Sequence, residues 1–132
     1  MRQLRERLDR LGPERGSMSL ELVILMPVLL LALFTIIQAG LWINAREVAL
    51  HAAAEGSAAA SAENATDEAG YAAATAYVAQ VGALSGTAVA VDRSATQVTV
   101  TVSGQAPSIV PGLPLPLVTQ SSTSAIEAWS TP

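Results

Sequence analysis

LVILMPVLLLALFTIIQAGLWI, residues 22–43, carries no charge, and Thr35 and Gln38 are its clearly polar side chains. At about 1.5 Å of rise per residue, a helix of this length reaches roughly 33 Å, enough to cross a hydrocarbon core about 30 Å thick. The stretch reads as a transmembrane helix, with Trp42 where an interfacial aromatic belongs. A cleaved secretory signal is the competing reading, but its apolar region runs about 7–15 residues and ends in a small-x-small site. Here the run is longer, and Ile43-Asn44-Ala45 places a branched residue at the −3 position.

Arginines set the expected orientation. Residues 1–16 carry Arg2, Arg5, Arg7, Arg10 and Arg15 against Glu6, Asp9 and Glu14, whereas only Arg46 closely follows the span. By the positive-inside rule the N-terminus stays in the cytoplasm and residues 44–132 lie outside. Beyond residue 43, Arg46 and Arg93 face seven carboxylates. That acidic balance offers no basic stripe for a nucleic acid.

Glu21 stands at the mouth of the apolar run, and its position admits two readings. It caps the helix N-terminus at headgroup level, where negative charge suits the macrodipole. Or it is a functional group, because a carboxylate within a span costs about 2.5–3.5 kcal/mol near the bilayer centre and persists for a purpose. Pro27 has a physical effect of its own: it lacks an N–H and crowds the carbonyl of Val23, which kinks or loosens the helix there. An incidental kink is the plain alternative.

Arg15-Gly16-Ser17-Met18-Ser19-Leu20-Glu21 sets a glycine five residues before the glutamate, after a basic leader and before a long apolar helix. This resembles a type IV prepilin-like signal, in which a membrane peptidase cuts after the glycine. Ser17 stands where many type IV pilins have phenylalanine. Residues 15–31, RGSMSLELVILMPVLLL, look instead like the start of the TadE-like pseudopilins, minor pilins of the Tad, or Flp, pilus system. The resemblance implies a processing site at Gly16 and Ser17, with Glu21 as fifth residue of the mature chain. It implies that the new α-amino group pairs with the Glu21 carboxylate of a neighbouring subunit. It also implies the cytoplasmic (inner) membrane as location, with other pilin or pseudopilin subunits, the pilus assembly platform and a prepilin peptidase as partners besides the lipid bilayer.

Past the span, NAREVALHAAAEGSAAASAE holds strong helix formers and no proline, so the helix is expected to continue for several turns. Ala45, Ala49, Ala52 and Ala53 share one side, either a close-approach face for another helix or part of a solvated helix. Thr66 followed by Asp67 and Glu68 reads as a helix start, and Tyr71, Ala74, Val78 and Val81 recur at helical spacing up to Gly82 and Gly86. From Thr87 the period becomes two: Val89 and Val91, then Val98, Val100 and Val102, on either side of residues 92–96, predict a β-hairpin. Residues 106–116, with Pro107, Pro111, Pro114 and Pro116, read as a loop. Thr119–Trp129 reads as a third strand, since a sheet needs about three to be stable.

The expectation is an α+β chain divided into a leader at 1–16, a transmembrane helix at 17–43, an outer helical region at 44–85 and a small antiparallel sheet at 86–132. Hydrophobic residues make up 51% of the chain but aromatics only 4%, so the outer part is expected to be thinly packed. There is no cysteine. His51 is the only histidine and the carboxylates are scattered, so no catalytic, cofactor or metal constellation and no small-molecule substrate site is expected. Asn64-Ala65-Thr66 fits a glycosylation sequon, a match frequent by chance. Two functions follow: a membrane subunit of a pilus or secretion assembly, or a membrane-tethered binding module whose helix is only an anchor.

Overall fold

The computed structural model describes residues 2–110, 112 and 115–127, with the backbone alone for 5–16. Its elements in chain order are α1 (Arg2–Ser61), α2 (Asp67–Val81), β1 (Ser85–Arg93), β2 (Gln97–Gln105) and β3 (Val118–Ala125). The chain is α+β, as its periodicities predict. It divides into two compact units, Met1–Ile37 and Gln38–Pro132.

The first unit is helix α1 up to Ile37, and from Ser17 onward every side chain in it is exposed. An apolar helix with no buried stripe has no core of its own to face, which is the pattern of a membrane span. Within Ser17–Ser61, α1 is long and apolar enough to cross a membrane. Thr35 hides its hydroxyl by donating to the Leu31 carbonyl at 2.7 Å, so it adds no unsatisfied donor.

In the second unit the remainder of α1 packs with α2 and a three-stranded antiparallel sheet of order β1-β2-β3. Alternation decides which face of the sheet is buried. Val98, Val100 and Val102 of β2 are buried, opposite Arg93, Val91 and Val89 of β1 and Ser124, Ser122 and Gln120 of β3. Thr99, Thr101 and Ser103 take the other face, with Thr119, Ser121 and Thr123 beside them. The register of β1 with β2 shifts between Ser85 and Ala88.

Ala45, Ala49, Ala52, Ala53 and Ala60 of α1 are fully buried, so the alanine side is a packing face. Backbones approach there closely: a Cβ added at Gly56 would lie 2.9 Å from both the Gly70 carbonyl and Val100 Cγ1. The largest fully buried side chains are Val98, Val100, Val102, Val118 and Ser57. The core is thus built from small residues, as the scarcity of aromatics predicts.

Local signals place α2. Thr66 accepts a hydrogen bond from the Ala69 N–H, and Gly82 closes the helix in the left-handed region, donating to the Val78 carbonyl. The buried stripe of α2 is Gly70, Ala74 and Val78, whereas Tyr71 and Val81 are exposed. The expected stripe is corrected at those two positions: the crossing with α1 takes the smallest residue, and an added Cβ at Gly70 would meet Ala60 at 2.7 Å. Of the tyrosines, Tyr77 packs against the core and Tyr71 does not.

The hairpin forms where the valine alternation sets it. Strand β3 runs to Ala125, and Trp129, expected at its end, lies outside the described residues, as do Pro111 and Pro114. β3 turns Ser122 and Ser124 toward the core, where Ser57 lies 3.1 Å from the Ser122 hydroxyl and accepts from Ser124 at 2.9 Å. Mutual hydrogen bonding lets a polar strand face a core.

Candidate functional site

Gly16, Ser17, Glu21 and Pro27 all lie on α1. Ser17 and Glu21 are one turn apart and share a face, with about 6 Å of rise between them. Glu21 is exposed and is the sole charged residue between Ser17 and Ala45. It makes no ion pair among the described residues. The helix runs through Gly16 and Pro27 without interruption. What the arrangement offers is an apolar cylinder with one carboxylate near its start.

The other groups singled out in the sequence do not assemble into a reactive site. His51 is exposed, 3.9 Å from Glu47 one turn earlier and tilted against the Tyr77 ring at 6.3 Å between centroids. Among the described residues no three of His, Cys, Asp and Glu are grouped to hold a metal ion. Asn64 sits exposed in the turn after α1, at φ 60°.

Two features of the second unit had no clear sequence signal. Arg93, at the end of β1, donates from Nε to Asp67 Oδ1 at 2.6 Å and from Nη2 to the Ala60 carbonyl at 2.7 Å. Together with the Glu127 N–H, which donates to the Ser61 carbonyl at 3.0 Å, it satisfies the last carbonyls of α1. Gln38 is the second feature. Its side chain is buried, Nε2 donates to the Pro107 carbonyl at 2.9 Å, and Oε1 accepts from the Ile109 N–H at 3.0 Å. Such pairs, separated by dozens of residues in sequence, leave no local pattern to read.

Comparison with curated proteins finds no match, and neither does comparison with solved structures. A family model does match residues 16–58, from the glycine before Ser17 to the alanine-lined part of α1. The family is described as TadE-like protein, and over that segment the chain is similar to it, in keeping with the resemblance carried by the residues around Gly16, Glu21 and Pro27.

Proposed function

We propose that the chain is a minor pilin or pseudopilin, held in the cytoplasmic (inner) membrane by one helix with its N-terminus inward. Through that helix it packs into a Tad-type pilus or a related secretion apparatus. The carrying observation is a coincidence: the TadE-like match covers the apolar stretch Ser17–Ile37, whose side chains are exposed all round. Its surroundings are lipid, other pilin or pseudopilin subunits and the assembly platform. Its work is structural.

In this reading a prepilin peptidase cuts after Gly16. The α-amino group of Ser17, a cation at neutral pH, then pairs with Glu21 of a neighbouring subunit. Two charges at the membrane surface offset each other, and the pairing fixes the axial register between helices. Gly16 lies within α1, so the cut requires that turn to unwind. Glycine eases this, being about 1 kcal/mol poorer than alanine in a helix.

The second reading, a tethered binding module, draws on the hydroxyl-rich sheet face around half-buried Thr101 and exposed Ser121. One experiment separates the two. Co-expression with a prepilin peptidase, followed by intact mass and N-terminal sequencing, is expected to give a Ser17 start. A chain that keeps residues 1–16 counts against maturation. In the same system Glu21→Ala is expected to insert in the membrane normally and to be lost from pilus complexes. Normal incorporation of that variant would sink the pairing.

A further inference from the structure

Gln38 lies inside the apolar run, five residues before its end at Ile43. Both polar atoms of its amide are engaged by the loop between β2 and β3. The loop is therefore fastened at the level of a residue that belongs, by sequence, to the membrane span.

The loop's chemistry suits that level. Residues 106–117 carry no charge, and neither do residues 38–45 of α1. Ile109 and Leu117 leave 42% and 56% of their surface exposed, while Leu115 packs on the core. Exposed aliphatic surface costs about 25 cal/mol per Å² in water, a penalty that lipid removes.

Backbone polarity is the usual obstacle to placing a loop in lipid, because unsatisfied N–H and C=O groups cost several kcal/mol each. Here the obstacle is reduced. Pro107, Pro111, Pro114 and Pro116 have no N–H to satisfy. The Pro107 carbonyl and the Ile109 N–H are taken by Gln38, and the Val110 carbonyl accepts from the Ser108 hydroxyl at 2.9 Å.

The next turns of α1 mark an interface. Trp42 is partly buried, and the Arg46 guanidinium carbon lies 5.0 Å from its ring centroid. An aromatic with a cation stacked on it suits headgroup depth, and Arg46 stands about 12 Å along the axis from Gln38.

We infer that the β2–β3 loop is a second membrane contact: Ile109 and Leu117 dip into the leaflet at the C-terminal end of the span, with Gln38 as the clasp. The occupant of this apolar surface is lipid, because Gln38, which fastens the loop, opens the last six residues of the apolar run, 38–43. The inference rests on the membrane reading of α1.

The chain has no cysteine, so single nitroxide labels can be placed without background. The full chain, carrying Ile109→Cys, Leu117→Cys, Leu30→Cys or Thr101→Cys, is reconstituted in vesicles of phosphatidylethanolamine and phosphatidylglycerol. Collision rates with oxygen and with a water-soluble nickel chelate are then compared. Labels at 109 and 117 are expected to favour oxygen several-fold over the label at 101. If they match position 101 while position 30 reads as lipid, the loop is in water and the inference falls with the span intact. If position 30 is also aqueous, the membrane reading itself fails. Labels at 109 and 117 shielded from both reagents, with spin–spin broadening between copies, would assign the surface to a neighbouring subunit and overturn the lipid contact.

Discussion

Within α1, residues 17–37 and 38–61 share a backbone geometry and differ in almost everything else. The first stretch is mostly leucine, isoleucine and valine, and all of it is exposed. The second carries alanine, glycine and serine on its packed side, with Ala45, Ala49, Ala52 and Ala53 fully buried. Bulky side chains stand where no protein covers them, and the smallest ones form the core. Apolar content is therefore a poor guide to where this protein packs. In lipid a helix gains nothing by hiding leucine, whereas in water a thin domain gains by bringing backbones together over alanine and glycine.

That difference is most exposed to breakage at the α1–α2 crossing. Gly56→Ala puts a methyl 2.9 Å from the Gly70 carbonyl and Val100 Cγ1 and 3.0 Å from Ala74 Cβ. The expected cost is about 1–3 kcal/mol. A domain of this size loses about 4–8 °C of melting midpoint per kcal/mol, readable by thermal denaturation of the full chain in detergent. Gly70→Ala is expected to cost a similar amount, and the two together less than their sum, since they share the crossing. Unchanged melting in either variant would mean that the helices are not held at this distance.

Arg93 is the next test, because it ties the end of the packed stretch of α1 to the sheet and to α2. Arg93→Ala leaves the Ala60 carbonyl without its donor, at an expected cost of about 1–2 kcal/mol. Asp67→Asn removes only the more exposed charge of the pair and is expected to stay within about 0.5 kcal/mol. Equal losses in the two variants would show that the ion pair matters more than the cap.

What was legible in the sequence follows the same division. The span announces itself because lipid imposes one rule on every residue from Leu22 onward, and the hairpin does so because Val98, Val100 and Val102 repeat every second residue. Thr66 and Gly82 act through their own backbone neighbours, so the ends of α2 could be read locally. The buried stripe of α2 could not: Gly70 carries no hydrophobic signal, and only the crossing with Ala60 and Gly56 makes it an inside residue. Gln38 and Arg93 were hidden for a related reason, since each bonds partners far away in sequence. Of the candidate site, Gly16, Ser17 and Glu21 were visible as a spacing, which says what a processing enzyme or a neighbouring subunit would meet. It could not say that Gly16 is held in a helix.

The one expected gain in stability sharpens the comparison most, because it sets Gly40 of α1 beside Gly56. An added Cβ at Gly40 meets nothing within 4 Å. With no clash to pay for, Gly40→Ala should gain the helix preference of alanine, about 0.5–1 kcal/mol. The same change on the same helix thus takes opposite signs at positions 40 and 56. Melting of the isolated chain checks the sign, and recovery in pilus complexes checks its meaning. A stabilised variant that assembles normally has lipid beside Gly40. A stabilised variant that fails to assemble has a neighbouring helix seated there, the close approach that small residues permit between spans. A destabilised variant would mean that Gly40 is already covered in the single chain, and the packed side of the second stretch would then extend beyond its alanines.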